Sequence, residues 1–248
     1  MTIAKLPPAL FERAAALYRP LGNFAWQFAR GKLRADPVFA SLLQSGLIPS
    51  NARLLDVGCG QGLLAALLFS VQAGGSTPQA WPQGWAPAPT GVRVRGIELA
   101  PKSVGWAQAA LAHVRPQAEF VHGDMRTTEF GHVDVAVLLD VLHYVNFEVQ
   151  RDVLSRVKTS LGTDGHLLLR IGDAAAGLPF RFSTWVDAIM SFVRNQRLSR
   201  LYCRPLSQWL TLLAELGFKV QTLPMHGGTP FANVLLVARP ISSRSAMR

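Results

Sequence analysis

A run of closely spaced glycines, Leu55-Asp56-Val57-Gly58-Cys59-Gly60-Gln61-Gly62, is the part of the chain best suited to close contact with a ligand. Glycine has no Cβ, so the backbone can turn tightly and approach a bound molecule. The run follows a predicted strand, Arg53–Val57, and opens a predicted helix, Gly62–Val71, which is the context that such a loop needs. Its G-x-G-x-G spacing differs from the dinucleotide pattern G-x-G-x-x-G, and it lacks the Lys-Ser/Thr pair of a phosphate loop.

Acidic residues come at the ends of three successive predicted strands. Asp56 stands just before the glycine turn, where its charge would repel a pyrophosphate and suit a cationic ligand group. Glu98 ends the next strand, where a carboxylate can accept both hydroxyls of a ribose. Asp124 follows the third strand and can accept a hydrogen bond from an adenine amino group, with Met125 packed on the ring. Any one of them alone would be explained as a surface acid, but in an open α/β sheet these strand ends converge on one ligand site.

Short apolar runs alternate with amphipathic stretches from about residue 53, which is typical of parallel strands joined by helices. A turn is predicted at Thr163-Asp164-Gly165, and Ser207 is predicted to cap a last helix that ends near Gly217. Besides the elements already given, the pattern predicts the strands Val92–Glu98, Ala118–His122, Val133–Asp140, His166–Ile171, Phe218–Leu223 and Asn233–Arg239, and helices over Pro101–His113 and Asn146–Leu161.

The same pattern predicts one main domain with additions. Residues 1–50 are expected to form an N-terminal helical cap, and residues 51–240 the ligand-binding α/β domain. Within that domain, residues 74–90 are predicted to be a long surface loop because glycine, proline and glutamine occur there without periodicity. Residues 174–204 are predicted to form a helical lid insert after the fifth strand, and residues 241–248 a flexible tail.

The glycine loop and its acidic partners resemble the class I S-adenosylmethionine-dependent methyltransferase family, over about Arg53–Arg239. The resemblance implies an α/β Rossmann-like, doubly wound, seven-stranded sheet with the last strand antiparallel. It also implies that the Asp56 region and the first glycines hold the methionyl part of S-adenosylmethionine, Glu98 the ribose, and Asp124 with Met125 the adenine. No metal is predicted. The predicted cofactor site comprises Asp56, Gly58, Cys59, Gly60, Gly62, Glu98, Leu99, Asp124, Met125 and Asp140.

The reacting end of the site is predicted in Leu139-Asp140-Val141-Leu142-His143-Tyr144-Val145, which follows the fourth strand. Family members that act on amino groups of bases carry Asn/Asp-Pro-Pro-Tyr/Phe here, and this chain does not. Its Asp-x-Leu-His pattern looks like the branch that methylates small molecules and lipid- or carrier-linked compounds. His143 is the candidate catalytic base because imidazole titrates near neutrality; a supporting role beside the cofactor loop is the alternative. Tyr144 is expected to orient the substrate, and Asp173 and His226 are further candidates.

Aromatic side chains are frequent in the lid insert and in the N-terminal segment, where Tyr18, Phe24, Trp26 and Phe28 occur. They are suited either to core packing or to the roof of an apolar pocket for an aromatic or polyene substrate. The stretches Tyr18-Arg19-Pro20-Leu21-Gly22 and 28–39 also resemble methyltransferases of bacterial aryl-polyene pigment clusters. That resemblance implies secondary metabolism and methylation of an aromatic head group bound to an acyl carrier protein.

The net charge of +10 leaves several partners open. Arg194, Arg197, Arg200 and Arg204 would form one basic face on a helix. Such a face is either simply solvated or a docking site for an acidic carrier protein or an anionic membrane surface. An RNA methyltransferase would use the charge, but the chain has no recognisable RNA-binding module, so nucleic acid is not the predicted partner.

Two other functions compete with methyl transfer. A non-catalytic protein that binds S-adenosylmethionine would share the whole cofactor site, and a NAD-type oxidoreductase is disfavoured by the loop spacing and by Asp56. The chain has two cysteines, no long uncharged apolar stretch and no signal-peptide pattern at its start. These features predict a cytoplasmic protein without a transmembrane segment.

Overall fold

Seven strands form one mixed sheet in the computed structural model, which describes residues 5–73, 81–172, 201–225 and 233–241. The strands are β1 (Arg53–Val57), β2 (Arg93–Glu98), β3 (Ala118–His122), β4 (Val133–Leu139), β5 (Leu161–Gly172), β6 (Phe218–Pro224) and β7 (Asn233–Pro240). Their order in the sheet is β3-β2-β1-β4-β5-β7-β6.

The strand directions confirm the predicted fold class. Strand β2 pairs in parallel with β1, where Arg53 lies opposite Arg93, and also in parallel with β3. Strand β7 runs antiparallel to both of its neighbours, with Val234 opposite Ile171 of β5 and Pro240 opposite Phe218 of β6. The sheet is therefore seven-stranded with an antiparallel last strand. The apolar run of β4 is buried over most of its length, as expected for a central strand.

The described helices are α1 (Pro8–Ala16), α2 (Asn23–Ala35), α3 (Val38–Gln44), α4 (Leu63–Ala73), α5 (Pro101–Ala110), α6 (Phe147–Ser160) and α7 (Leu206–Glu215). Single 3₁₀ turns occur at Arg19–Leu21, Ala112–Val114 and Leu142–Tyr144. The chain divides into two compact units, Met1–Val137 and Leu138–Arg248. The described residues include no helix both long and apolar enough to cross a membrane.

The first unit contains the glycine loop and the elements that hold it. Helix α4 is buried from Leu63 to Val71, so nearly all of its surface is covered. The Tyr18 hydroxyl, itself fully buried, donates a hydrogen bond of 2.8 Å to the carbonyl of Gln61. The Gln61 side chain in turn donates to the carbonyl of Ala25 in α2. These two bonds fasten the N-terminal segment to the glycine loop.

In the second unit, helix α6 begins with a side-chain cap. The Asn146 side chain accepts a hydrogen bond of 2.9 Å from the Val149 amide, which satisfies one of the free donors at the start of α6. Along α6 the buried residues recur at helical spacing, so one face of the helix lies against the core. They are Gln150, Val153, Leu154 and Val157.

Two local predictions in this unit are wrong. The expected turn at 163–165 is absent because the chain leaves α6 directly into extended backbone at Leu161 and stays in β5 through Gly165. Ser207 is not the cap of α7, because the helix starts one residue earlier, at Leu206. Pro205 occupies the cap position in extended backbone, and its carbonyl accepts the first bonds, from Gln208 and Trp209.

The predicted basic helix face is not formed at its described end. Arg204 precedes α7 and lies in a segment without helix or strand, so it cannot share a helix face with residues of the insert. Its guanidinium points inward to the Gln150 side chain. Residues 81–90 of the predicted surface loop contain neither helix nor strand. The remaining parts of these predictions, residues 74–80, 174–200 and 242–248, lie outside the described residues.

Candidate functional site

The glycine loop folds back onto the neighbouring strand. The amides of Gly58 and Cys59 both donate to the carbonyl of Ile97 in β2, at 2.7 and 3.3 Å. Gly60 and Gly62 have φ angles of +56° and +78°, in the left-handed region that favours glycine. A tight turn of this kind brings the end of β1 and the start of α4 against the end of β2.

Glu98 connects this loop to the helix that follows β2. One of its carboxylate oxygens accepts the Gly60 amide at 2.9 Å, and the other accepts the Ala100 amide at 2.8 Å. The side chain is only partly buried, and each oxygen has a further lone pair. Glu98 therefore fixes the shape of the loop and keeps capacity for two further hydrogen bonds.

Asp56 is a buried carboxylate beside the loop, with an exposed fraction of 5%. Burial raises its pKa to about 7, and the negative charge of Glu98 contributes to the rise. Burial, with Asp56 as the second cause, also raises the pKa of the Cys59 thiol well above its ordinary value. Within the described residues no lysine or arginine forms an ion pair with Asp56. The site thus carries a buried acidic group that a cationic ligand would stabilise.

Asp124 has a partner within the chain. The Arg126 guanidinium donates to both of its carboxylate oxygens, and the Arg126 amide donates to one of them. These hydrogen bonds hold the pKa of Asp124 below its usual value. Met125, between the two, is half-buried, and Leu99 at the end of β2 is 57% exposed. Because Arg126 is exposed and Asp124 is partly exposed, the pair contributes little to stability, and a ligand can compete for the carboxylate.

In the second unit, Asp140 forms an ion pair with Arg170 of β5. Two nitrogens of the Arg170 guanidinium, Nε and Nη2, each donate to one carboxylate oxygen, and Arg170 is only 3% exposed. The Asp140 amide also donates to the Arg170 carbonyl, and the φ of Asp140 is +58°. The sequence did not reveal this partner, although a lone arginine inside the apolar run 167–171 was a signal for it.

His143 and Tyr144 follow on the 3₁₀ turn, with their ring centroids 4.2 Å apart. His143 is buried, and burial lowers its pKa, while the charge of Asp140 acts in the opposite direction. The imidazole is therefore neutral at pH 7. The backbone carbonyl of His143 accepts a hydrogen bond from the Tyr202 amide at 2.9 Å.

The structure groups the predicted residues within its two units. Those from the glycine loop through Met125 belong to the first unit, where direct contacts join the loop and Glu98. Asp140, His143 and Tyr144 belong to the second. Asp173 and His226 lie outside the described residues. Two polar side chains organise the site in ways that the sequence-based prediction did not include: Tyr18, expected only in core packing or in the roof of a pocket, bonds to the glycine loop, and Gln150 was not predicted at all.

Two glycine substitutions in the loop are expected to differ in their effect on the free energy of unfolding. In Gly62→Ala the new methyl group would lie about 3.0 Å from the Phe120 ring and 3.1 Å from Ala107, at an unfavourable φ. In Gly60→Ala it would have no neighbour within 4 Å among the described residues. We expect Gly62→Ala to lose roughly 2–3 kcal/mol of unfolding free energy by denaturant titration and Gly60→Ala about 1 kcal/mol. A larger loss in Gly60→Ala would contradict the open space above that residue.

Removing the Asp140 carboxylate is expected to destabilise the fold strongly. In Asp140→Ala the buried Arg170 guanidinium would lose the Asp140 carboxylate, and alanine would have to hold a φ of +58°, so we expect a loss of roughly 3–5 kcal/mol in unfolding free energy. Asp152→Ala, which removes an exposed ion-pair partner on α6, is the control and should change stability by less than about 0.5 kcal/mol. Equal effects of the two substitutions in urea titrations would show that the Asp140–Arg170 pair does not support the fold.

The family model described as a methyltransferase domain matches residues 25–223. The chain belongs to the methyltransferase domain family. The match runs through the glycine loop, Glu98, Asp124 and the His143 turn, so the methyltransferase carries its candidate site inside the family's own domain. The search of curated proteins gives no match.

Solved structures share the fold of this methyltransferase at low identity. The magnesium protoporphyrin IX methyltransferase of Synechocystis, with bound SAH, is 22% identical, with a TM-score of 0.55 over 94% of this chain and 96% of that one. An O-methyltransferase family 2 protein of Planctomyces limnophilus in complex with apigenin is 18% identical, with a TM-score of 0.57 over 93% and 62%.

A third structure is an O-methyltransferase from neocarzinostatin biosynthesis, in complex with S-adenosylmethionine and 2-hydroxy-5-methyl naphthoic acid. It is 20% identical, with a TM-score of 0.51 over 76% of this chain and 49% of that one. This methyltransferase thus spans nearly the whole Synechocystis protein but only about half to three fifths of the other two. These likenesses show the fold, and the predicted cofactor, S-adenosylmethionine, is one that a protein of this fold holds.

Proposed function

We propose that the chain binds S-adenosylmethionine on the glycine loop and transfers its methyl group to a small aromatic acceptor. The observation that carries the proposal is the buried Asp56 carboxylate next to Glu98, without a cationic partner among the described residues. A ligand with an ammonium group and a ribose would complement these two acids together. Neither a pyrophosphate nor a neutral nucleoside would compensate the buried charge of Asp56.

The residues present fit this cofactor. Asp56 would accept the ammonium group of its methionyl part, and the open space above Gly60 leaves room for close approach of that part. Glu98 has the free lone pairs to accept the ribose hydroxyls. Asp124 would accept the adenine amino group in exchange for Arg126, with Met125 against the ring. When bound, S-adenosylmethionine supplies a methyl group that a sulfonium has already activated for in-line displacement.

The chain's own contribution to the reaction is alignment, exclusion of water and removal of a proton from the acceptor. Alignment alone contributes much of the rate in such a displacement. His143 is neutral at pH 7 because burial lowers its pKa, so it can accept the proton of a phenol as the new bond forms. Tyr144 packs against its ring and would orient the acceptor.

Aromatic side chains in the first unit support an aromatic acceptor. Phe24 and Phe28 of α2 stack with ring centroids 6.3 Å apart, and Phe24 lies 5.8 Å from Trp106 of α5. Rings of this kind favour flat apolar substrates. We further propose an aryl-polyene-type acceptor in secondary metabolism that is presented by an acidic acyl carrier protein, for which the net charge of +10 is suited.

The experiment offers three acceptors to the purified protein with methyl-labelled S-adenosylmethionine. They are a free hydroxyphenyl polyene, the same compound as a thioester on an acyl carrier protein, and a structured RNA. We expect label on the phenol, with faster transfer to the carrier-bound form and loss of that advantage at high salt. Equal rates for both polyenes would exclude the carrier, label only on RNA would replace the proposal, and binding without any transfer would indicate a non-catalytic protein.

A further inference from the structure

Gln150 of α6 is a fully buried polar residue that joins two segments of the second unit. Its side-chain nitrogen donates to the carbonyls of Leu142 and Val145, each at 3.1 Å, and to the carbonyl of Tyr202 at 2.8 Å. Leu142 and Val145 are the two residues that flank the His143–Tyr144 pair. One amide group therefore holds both ends of the turn that carries the candidate base.

The segment around Tyr202 is fastened to the same turn a second time. The Tyr202 amide donates to the His143 carbonyl at 2.9 Å, and the Tyr202 carbonyl is one of the three acceptors of Gln150. The Tyr202 ring lies edge-on to Phe147, with centroids 5.6 Å apart. A movement of the Tyr202 backbone would therefore also move the backbone of His143.

Arg204 determines which way the Gln150 amide faces. Its Nε donates to the Gln150 side-chain oxygen at 2.7 Å, and a second nitrogen donates to the Phe147 carbonyl at 3.1 Å. The guanidinium also lies over the rings of Phe147 and Trp209, at 4.4 and 5.7 Å from their centroids. With the oxygen occupied by a donor, only the nitrogen of Gln150 can face the three carbonyls.

We propose that Gln150 is a positioning residue for methyl transfer, which holds His143 and Tyr144 in place through Leu142, Val145 and Tyr202 and is itself oriented by Arg204. The proposal rests on the proposed function, in which His143 and Tyr144 face the acceptor. Packing alone does not require glutamine here, because Val153, Leu154 and Val157 fill the same face of α6 with apolar side chains. An amide can donate its two N–H groups toward the three carbonyls, one of them shared, and accept from Arg204 through its oxygen at the same time.

The test compares Gln150→Leu with a variant that weakens the same helix without touching the turn. Leucine keeps the volume but removes the side-chain donor to the carbonyls of Leu142, Val145 and Tyr202, so we expect the turn to become less ordered and less buried. Val153→Ala opens a cavity on the same face and serves as the matched control. We expect Gln150→Leu to lower kcat 10- to 100-fold and to raise the acceptor KM, with the S-adenosylmethionine Kd changed less than twofold. Val153→Ala should leave all three close to wild type.

An NMR titration of His143 reports on the conformation of the turn without any methyl acceptor. In Gln150→Leu, the NMR resonance of the His143 ring should titrate at a higher pH than in wild type, since loss of burial raises a depressed histidine pKa. Arg204→Gln, which removes the orienting donor from the edge of the cluster, should shift it in the same direction by a smaller amount. If the wild-type protein transfers no methyl group, the proposed function fails. The titration then still tests whether Gln150 holds His143 in place. A Gln150→Leu variant, or Arg204→Gln if the former does not fold, whose His143 titration matches Val153→Ala would overturn the inference.

Discussion

Replacing Glu98 by alanine is expected to weaken S-adenosylmethionine binding by at least about 100-fold. Two hydrogen bonds from ribose hydroxyls to a carboxylate contribute roughly 1.5–3 kcal/mol each, and every 1.4 kcal/mol is a factor of ten. The substitution also removes the acceptor of the Gly60 and Ala100 amides, so the loop loses the contact that shapes it. Isothermal titration calorimetry at constant pH measures the change directly.

Two further variants make this result specific. Glu98→Gln keeps one carbonyl oxygen for the Gly60 amide, so we expect an intermediate loss of about tenfold. Glu119→Ala removes an exposed carboxylate from the neighbouring strand β3 and should leave the affinity unchanged. An unchanged affinity in Glu98→Ala would refute the assignment of the ribose site.

Asp56→Asn is expected to stabilise the ligand-free protein at high pH. The pKa of Asp56 in the folded chain, about 7, lies above the ordinary value of 3.8. The folded state therefore binds this proton more tightly than the unfolded state. Its stabilising contribution is complete below about pH 4 and is lost as the pH rises through 7. Between pH 5 and pH 8 the wild-type protein should lose about 3 kcal/mol from this group, and Asp56→Asn should not.

The same substitution is expected to weaken cofactor binding, because asparagine cannot compensate the ammonium group. In wild type the affinity should rise from pH 6 to pH 8 as Asp56 ionises, and in Asp56→Asn this dependence should disappear. The measurements are urea unfolding and calorimetry at pH 5, 6.5 and 8, with the exposed Asp164→Asn as control. If Asp56→Asn is no more stable than wild type at pH 8 and binds the cofactor equally well, burial does not raise the pKa of Asp56 and the residue is not part of the site.

The strands were predictable because each is a short apolar run bounded by polar residues. The predicted bounds of β1 and β3 coincide with those observed, and β4 differs by one residue at its end. The positions of Asp56, Glu98 and Asp124 at strand ends were also predictable, since the ends of parallel strands meet at one edge of a sheet whatever the side-chain details. Family and fold therefore follow from patterns along the chain.

Features that depend on partners distant in sequence were not predictable in the same way. The turn residues at 163–165 stay extended despite their composition, because β5 continues through them. Arg204 was expected on a basic helix face, yet its partner is Gln150, 54 residues away. Gln150 itself gave a signal, since it stands at the spacing of the apolar residues of α6, where a polar side chain must find buried partners.

The most direct test of the cofactor site is a crystal structure with S-adenosylmethionine or its demethylated product at saturating concentration. We predict that the ligand lies over the Gly58–Gly62 loop, with its ribose hydroxyls within hydrogen-bond distance of Glu98 and its amino group beside Asp56. Ligand density elsewhere on the chain, with Glu98 and Asp56 untouched, would contradict this account of the methyltransferase.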